Sequence, residues 1–462
     1  MTPERYRSVN PATEEEIASY PIESETAIEG AIGGAQAAFG EFARRPVGER
    51  ARLLVAVARR LDERTAELAR LMALEMGKPL AQGEAEVRKC AWGCRYFAEH
   101  GEAFLAPERR EAEGAEAWVV SEPLGPLLAI MPWNFPFWQF FRFAAPALVA
   151  GNTVLLKHAP STPDCARAIE GLLRDAGAPE GVLRNVFLSN EQTARVIADD
   201  RVAGVTLTGS TTAGRAVAEV AGRHVKHVVL ELGGSDPFVV LDDADLNRAV
   251  AAAVEGRCQN SGQSCIAAKR ILVHDSRLAE FRERFVAAME ALVVGDPRDP
   301  GVDVGPLARA DLRERLEGQV RASVARGAEI LCGGARPMRR GWYYPPTVLA
   351  RVPAGSPAAD EELFGPVATL GSFASDEDAV ALANASRYGL GATVWTRDLP
   401  RARRLVPAIR AGAVFVNGLV KSDPRLPFGG VRDSGLGREL GREGLLEFVN
   451  RKTVWIAGSD RG

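Results

Sequence analysis

The sequence predicts an α/β protein with mainly parallel sheet and more than one domain. Its 462 residues exceed the ~250–300 at which a single hydrophobic core stops growing. Short β-branched or apolar runs alternate with segments of helix-forming composition. Those runs are apolar on successive positions rather than every second one, as in strands covered by helices on both faces.

Taken in order, the first strong pattern is helical. Glu49 to Met76 carries apolar residues at helical spacing (Leu53, Leu54, Val57, Leu61, Leu68, Leu71, Met72), and Gly77 and Pro79 end it. Candidate strands follow at 127–131, 153–157, 205–208, 227–232, 238–241, 271–274, 392–396 and 413–417. The segments 161–176, 211–221, 246–257 and 278–293 between them read as helices. A first boundary is expected near Gly233-Gly234, where one strand–helix series gives way to another. A loop-rich return is expected between Asn417 and Gly437, with Pro424, Pro427, Gly429-Gly430 and Gly435. Ala115–Val120 and Lys452–Ile456 read as strands projecting from the body, of the kind that complete a partner's sheet.

Composition removes several functions. Hydrophobic residues make up 46% and charged residues 25%, with net charge −3, which is no nucleic-acid footprint. Met1 to Arg7 is charged and lacks the apolar core of a signal peptide. Phe135 to Leu156 is interrupted by Gln139, Arg142, Gly151 and Asn152, which argues against a membrane span. Six cysteines without a secretion signal imply reduced thiols and a cytoplasmic protein. Cys90 and Cys94 have no second Cys/His pair beside them and read as helix packing, with no metal expected.

Five segments carry chemistry. Cys265 closes the small, flexible run Asn260-Ser261-Gly262-Gln263-Ser264, and Glu231 opens Glu231-Leu232-Gly233-Gly234. A thiolate attacks carbonyl carbon and a carboxylate can activate water, although a lone cysteine is more often inert packing. Asn134, in the turn Pro132-Trp133-Asn134-Phe135-Pro136, is either a turn former or a donor to an oxyanion. Lys157 ends a strand, where it either holds a phosphate or ribose hydroxyl or snorkels to solvent. Thr208-Gly209-Ser210 joins a strand to a helix, the geometry that seats a pyrophosphate, and Ser210 is also a fair N-cap. Glu362 and Phe364, in Glu362-Leu363-Phe364-Gly365-Pro366, suit ribose hydroxyls and a flat ring, or merely a helix-to-loop transition.

In this order, and with Pro427-Phe428-Gly429-Gly430 and Ser434-Gly435, the motifs resemble the aldehyde dehydrogenase superfamily over nearly the whole chain. Leu156-Lys157-His158-Ala159-Pro160 and Gly233-Gly234-Ser235-Asp236-Pro237-Phe238 are most similar to its succinate-semialdehyde dehydrogenase branch. The resemblance implies a Rossmann-like cofactor domain (1–110 and 127–232), an α/β catalytic domain (233–423), a β oligomerisation arm (111–126 and 440–462) and a return segment (424–439). It implies catalysis by Cys265, Glu231 and Asn134 through a thiohemiacetal and a thioester. Trp133, Lys157, Gly209, Ser210, Glu362 and Phe364 are then expected on the cofactor. Glu231 is absent from relatives that pass the acyl group to coenzyme A, so the free acid is the expected product.

For the substrate, the resemblance implies a small aldehyde, succinate semialdehyde first and other small aldehydes second. Arg142 stands where such enzymes place an arginine on the substrate carboxylate; on residue chemistry alone it reaches solvent or pairs with an acid. Ser422 falls in a loop that supplies a second contact, and Gln259 occupies a position where relatives carry another arginine. The branch implies NAD. Pro160, replacing a glutamate that binds the adenosine ribose, removes a charge that would repel a 2′-phosphate, so NADP acceptance is also expected. A homodimer or homotetramer is expected, with no nucleic-acid or membrane partner. A broad-specificity aldehyde dehydrogenase and a non-catalytic binding protein on the same scaffold are the competing readings.

Overall fold

The computed structural model describes residues 5–113 and 115–457. Two sheets organise it. The first runs Gly435–Leu436, His227–Glu231, Gly204–Thr208, Pro126–Met131, Thr153–His158, Leu183–Asn185, every pair parallel except the first. The second runs Glu329–Cys332, Thr347–Ala350, Val367–Phe373, Ala268–His274, Asp236–Val240, Gly391–Trp395, Ala413–Val416, again parallel apart from its first pair. The α/β expectation holds, and each of the eight expected strands is present to within a few residues.

The expected helical region 49–76 is two helices, Val47–Glu63 and Thr65–Met76. The break falls at Arg64 (φ −108°, ψ 15°), where the Thr65 hydroxyl donates back to the carbonyls of Leu61 (3.1 Å) and Asp62 (3.0 Å), a bond that competes with helix continuation. The helix Leu80–Leu105 has no clean apolar stripe in sequence and was expected only as helix packing at Cys90 and Cys94, while Trp138–Ala150 was not expected. Every residue of Trp138–Ala150 is buried, Gln139 and Arg142 included. This explains a stretch apolar on all sides that is no membrane span: it forms the middle of the largest core, packed with Leu80–Leu105 and Val47–Glu63. No helix among the described residues is long and apolar enough to cross a membrane.

Ala115–Pro123 pairs antiparallel with Val449–Ala457 along its whole length, from Val449 opposite Pro123 to Ala457 opposite Ala115. Glu108–Arg110 adds a third strand. Trp455 and Ile456 on this ribbon are more than half exposed. An N-terminal hairpin, Arg5–Val9 with Glu16–Pro21, packs its Tyr6 ring against Phe187.

Parallel pairing decides where the chemistry gathers. The carboxyl ends of strands 126–131, 153–158, 204–208 and 227–231 lie at one edge of the first sheet, with Thr208 opposite Glu231 and Met131 opposite His158. That edge is where doubly wound sheets bind ligands. The second sheet brings the segments that precede its strands: Gly233-Gly234 before 236–240, Cys265 before 268–274, and Glu362–Phe364 before 367–373.

Candidate active site

The loop that carries Cys265 is held in an uncommon backbone conformation. Asn260, Ser261 and Gly262 all have positive φ (56°, 55° and 73°), and two such non-glycine residues in succession persist only where surroundings over-determine them. They do here. The fully buried Arg257 donates to the Gly262 carbonyl at 2.5 Å. Gln82 accepts from Asn260 N at 2.6 Å, and Gln263 accepts from Ala308 N at 2.9 Å. Lys269 donates to the carbonyls of Ser264 and Cys265, both at 2.8 Å. A Cβ on Gly262 would strike the Gly365 backbone, so that glycine is needed for space as well as torsion.

Cys265 borders a cavity of about 400 Å³. Burial pushes its thiol up to about 12, while the Arg142 and Lys269 cations pull the other way. Asn134, 4% exposed, lines the same cavity. Its Nδ2 donates one hydrogen to Gln263 O at 2.9 Å, which fixes the amide plane and leaves the second N–H free. Asn260 Nδ2 binds the Asn134 and Gln263 carbonyls (2.6 and 3.1 Å), tying the turn to the nucleophile loop.

Glu231 is 2% exposed, and neither carboxyl oxygen has a hydrogen-bond partner among the described residues. Burial raises its pKa well above the carboxylate range, with Arg142 opposing. A buried carboxyl without partners is costly, and each such group in a folded protein calls for an explanation, a catalytic role being one. A Cβ at Gly429 would come within 2.8 Å of Glu231 Oε1, the physical reason for glycine in the late Pro427-Phe428-Gly429-Gly430 motif.

The other wall suits a dinucleotide. Gly209, Ser210, Thr211 and Thr212 line it at the N-terminus of Thr211–Arg223, where Ser210 Oγ accepts from Ala213 N at 3.2 Å. Trp133 and Phe364 meet edge to face, centroids 5.6 Å apart. Glu362 is ion-paired to Lys269 at 3.2 Å and accepts from Gly234 N at 3.1 Å. Lys157 lies apart from this cavity, 8% exposed, with no ion-pair or hydrogen-bond partner among the described residues and its ammonium 5.8 Å from the Tyr6 ring centre. Burial alone lowers it to about 8. The Ser161 hydroxyl, a few residues on, is also buried and unpartnered.

The substrate residues read from the sequence are not brought together on the cavity wall. Arg142 is 3% exposed, ion-paired to the equally buried Glu439, and reaches Thr208 Oγ1 at 3.3 Å over the Phe428 ring. Of its two open alternatives it takes the acid, and an acid partner satisfies the charge that a substrate carboxylate was expected to meet. Gln259 caps Leu246–Cys258 and is exposed. Ser422 is buried, accepting from Lys89 Nζ and Trp138 Nε1, each at 2.8 Å. Several cavity residues escaped sequence reading, among them Gln139, Arg309, Arg315, Arg387 and Tyr388. None sits in a motif of its own, although Gln139 was visible as a polar residue in an apolar run.

The model of the aldehyde dehydrogenase family matches residues 1–454. A Mycobacterium tuberculosis protein named succinate-semialdehyde dehydrogenase (NADP+) 1 is 48% identical over 453 residues, covering 97% of this chain and 99% of that protein. Escherichia coli succinate semialdehyde dehydrogenase (NAD(P)+) is 47% identical over 448 residues, covering 97% of each. The crystal structure of succinic semialdehyde dehydrogenase from Streptococcus pyogenes in complex with NADP+ superposes with TM-score 0.96 at 34% identity, covering 98% of this chain and 100% of that one.

Proposed function

Because the chain belongs to the aldehyde dehydrogenase family, we propose that it oxidises a small aldehyde, succinate semialdehyde first, to the free acid with NADP+. The observation that carries this reading is the convergence of Cys265, the free Asn134 N–H and a helix N-terminus on one cavity, with the unpartnered Glu231 directly before the lining residues Leu232 and Gly233.

Cys265, as the thiolate left when its S–H proton passes to solvent, adds to the aldehyde carbon. The oxyanion of the thiohemiacetal is met by the Asn134 amide and the Cys265 backbone N–H. Bound NADP+ supplies the hydride acceptor that takes Cys265 from thiohemiacetal to thioester. Glu231, its proton affinity raised by burial, then takes a proton from the water that attacks the thioester, releasing the carboxylate and the thiol. On the cofactor side, Gly209 and Ser210 fit the pyrophosphate, Glu362 the ribose hydroxyls, and Trp133 with Phe364 the flat ring.

NADP replaces NAD as the principal cofactor expected. Relatives carrying NADP in their names support that change, and so does Lys157. With a repelling glutamate absent at Pro160 and a bare ammonium present, a 2′-phosphate would relieve an existing electrostatic cost. Residues 111–126 and 440–462 we assign to an oligomerisation arm, on its exposed Trp455 and Ile456; residues 114 and 458–462 of that span lie outside the described residues. We also propose the split into 1–110 with 127–232, 233–423 and 424–439, on the strands of 127–232 lying in one sheet and those of 233–423 in the other. Free thiols throughout the described residues fit a reducing compartment such as the cytoplasm.

The test is NADPH formation from succinate semialdehyde set against butanal. A preference of ~100-fold or more, ~2.7 kcal/mol in the transition state, supports the semialdehyde. Comparable rates would make the enzyme a broad aldehyde oxidiser, the reading favoured by Arg142 being already paired to Glu439.

A further inference from the structure

Asn134 can meet an oxyanion only if its turn is held still, and the turn is short of backbone donors that would do this. Pro132 and Pro136 have no N–H. Beyond the turn, Gln139 N donates to Phe135 O at 3.0 Å and Phe141 N to Phe137 O at 2.9 Å. The Pro136 carbonyl between those two acceptors goes to a side chain instead. His158 Nε2 lies 3.1 Å from it, and the His158 ring is fully buried.

The hydrogen bonds of the ring fix which nitrogen carries the proton. Nδ1 faces the backbone N–H of Ala159 and the Thr162 hydroxyl, both at 2.9 Å. A backbone N–H can only donate, so Nδ1 is the acceptor and Nε2–H donates to Pro136 O. Burial, with the Lys157 cation adding to it, lowers the imidazole to about 4, so the ring is neutral near pH 7 and keeps that tautomer. The same residue also stands at the other end of the turn. In the sheet register His158 lies opposite Met131, the residue before Pro132. Its backbone therefore borders the turn where it begins, and its ring holds the turn where it ends. Asn134 sits between, its carbonyl held by Asn260 Nδ2 at 2.6 Å. Glu86 accepts from Phe137 N and Trp138 N, each at 3.0 Å, and so grips only the residues after the turn. His158 does not line the Cys265 cavity, and its influence on the reaction runs through the turn.

We propose that His158 is a positioning residue for the oxyanion donor: by holding the Pro136 carbonyl, its Nε2–H keeps the free N–H of Asn134 aimed at the oxyanion formed on Cys265. This rests on aldehyde oxidation through Cys265 and is independent of which aldehyde is used.

The experiment is a double-mutant cycle on kcat, with NADP+ and whichever of succinate semialdehyde and butanal is turned over faster. His158→Leu should lower kcat about 10- to 100-fold while changing KM for NADP+ less than about threefold, as a displaced reacting group does. Asn134→Ala should cost about 10²–10³-fold. In the Asn134→Ala background, His158→Leu should cost less than about twofold, because the group it positions is gone. Equal losses in the two backgrounds overturn the inference, since a general loss of packing lowers activity whether or not Asn134 is present. His158→Gln, whose amide N–H reaches toward Pro136, should keep kcat within about fivefold, and His158→Asn, which replaces only the Nδ1 side, should behave like His158→Leu. Should His158→Leu fail to fold, those two variants decide, and equal kcat in both overturns the inference. A wild type with no preference for the semialdehyde overturns the substrate reading alone, because the cycle is then run on butanal.

Discussion

Lys157→Met is the most informative perturbation of cofactor choice. An amine titrating near 8 instead of 10.5 has its ammonium form disfavoured by about 3 kcal/mol through burial. Below pH 8 the native lysine is charged and bears that cost. Between pH 8 and 10.5 the unfolded chain holds a proton that the native chain lacks, so this group makes the apoenzyme more stable as pH rises through that window. A 2′-phosphate offsets the cost by pairing, and one charged hydrogen bond of about 1.5–3 kcal/mol corresponds to roughly 10- to 150-fold. Lys157→Met should therefore lower kcat/KM for NADP about 100-fold, change that for NAD far less, and raise apoenzyme stability at pH 7. The assay is kcat/KM with both cofactors at pH 7 and 9, beside denaturant melts of the apoenzyme. In the wild type the NADP:NAD ratio should fall as pH passes 8, and in the variant it should be flat. An unchanged ratio in Lys157→Met would refute the assignment of Lys157 to the phosphate.

Three further outcomes are expected. Glu231→Gln should keep a stoichiometric burst of NADPH while steady-state kcat falls about 10²–10⁴-fold, the range for losing a general base; loss of the burst to the same degree would place Glu231 before the thioester. Gly262→Ala forces a side chain into the Gly365 backbone at φ +73°, so the variant should melt several degrees lower and lose activity, and a wild-type melt would contradict the packing. Arg142→Ala removes one half of the buried pair with Glu439, at a cost of about 3–5 kcal/mol, so a drop in unfolding free energy should accompany any kinetic effect. Arg142→Ala with full stability would mean that Glu439 is not its partner.

Local chemistry explains what was legible beforehand. A proline-stiffened turn, a strand end, a strand-to-helix junction and a small-residue loop keep their character in any context, so Asn134, Lys157, Ser210 and Cys265 could be picked out one by one. Helix boundaries were less visible: Leu80–Leu105 lacks a clear stripe because both of its flanks meet protein, and the helix breaks at Arg64, where the Thr65 hydroxyl bonds back to Leu61 and Asp62, a contact that periodicity does not encode.

The sequence by itself determined the α/β class and the family resemblance and nominated the candidate reacting groups, because each depends on residue type and near-neighbour spacing. Only the tertiary structure decided which charges are spent and which are free. Arg142 looked like the available cation and is held by Glu439. Electrostatic availability is set by burial and by the nearest counter-charge. Both arise when remote segments pack together, so no local pattern in the chain records them.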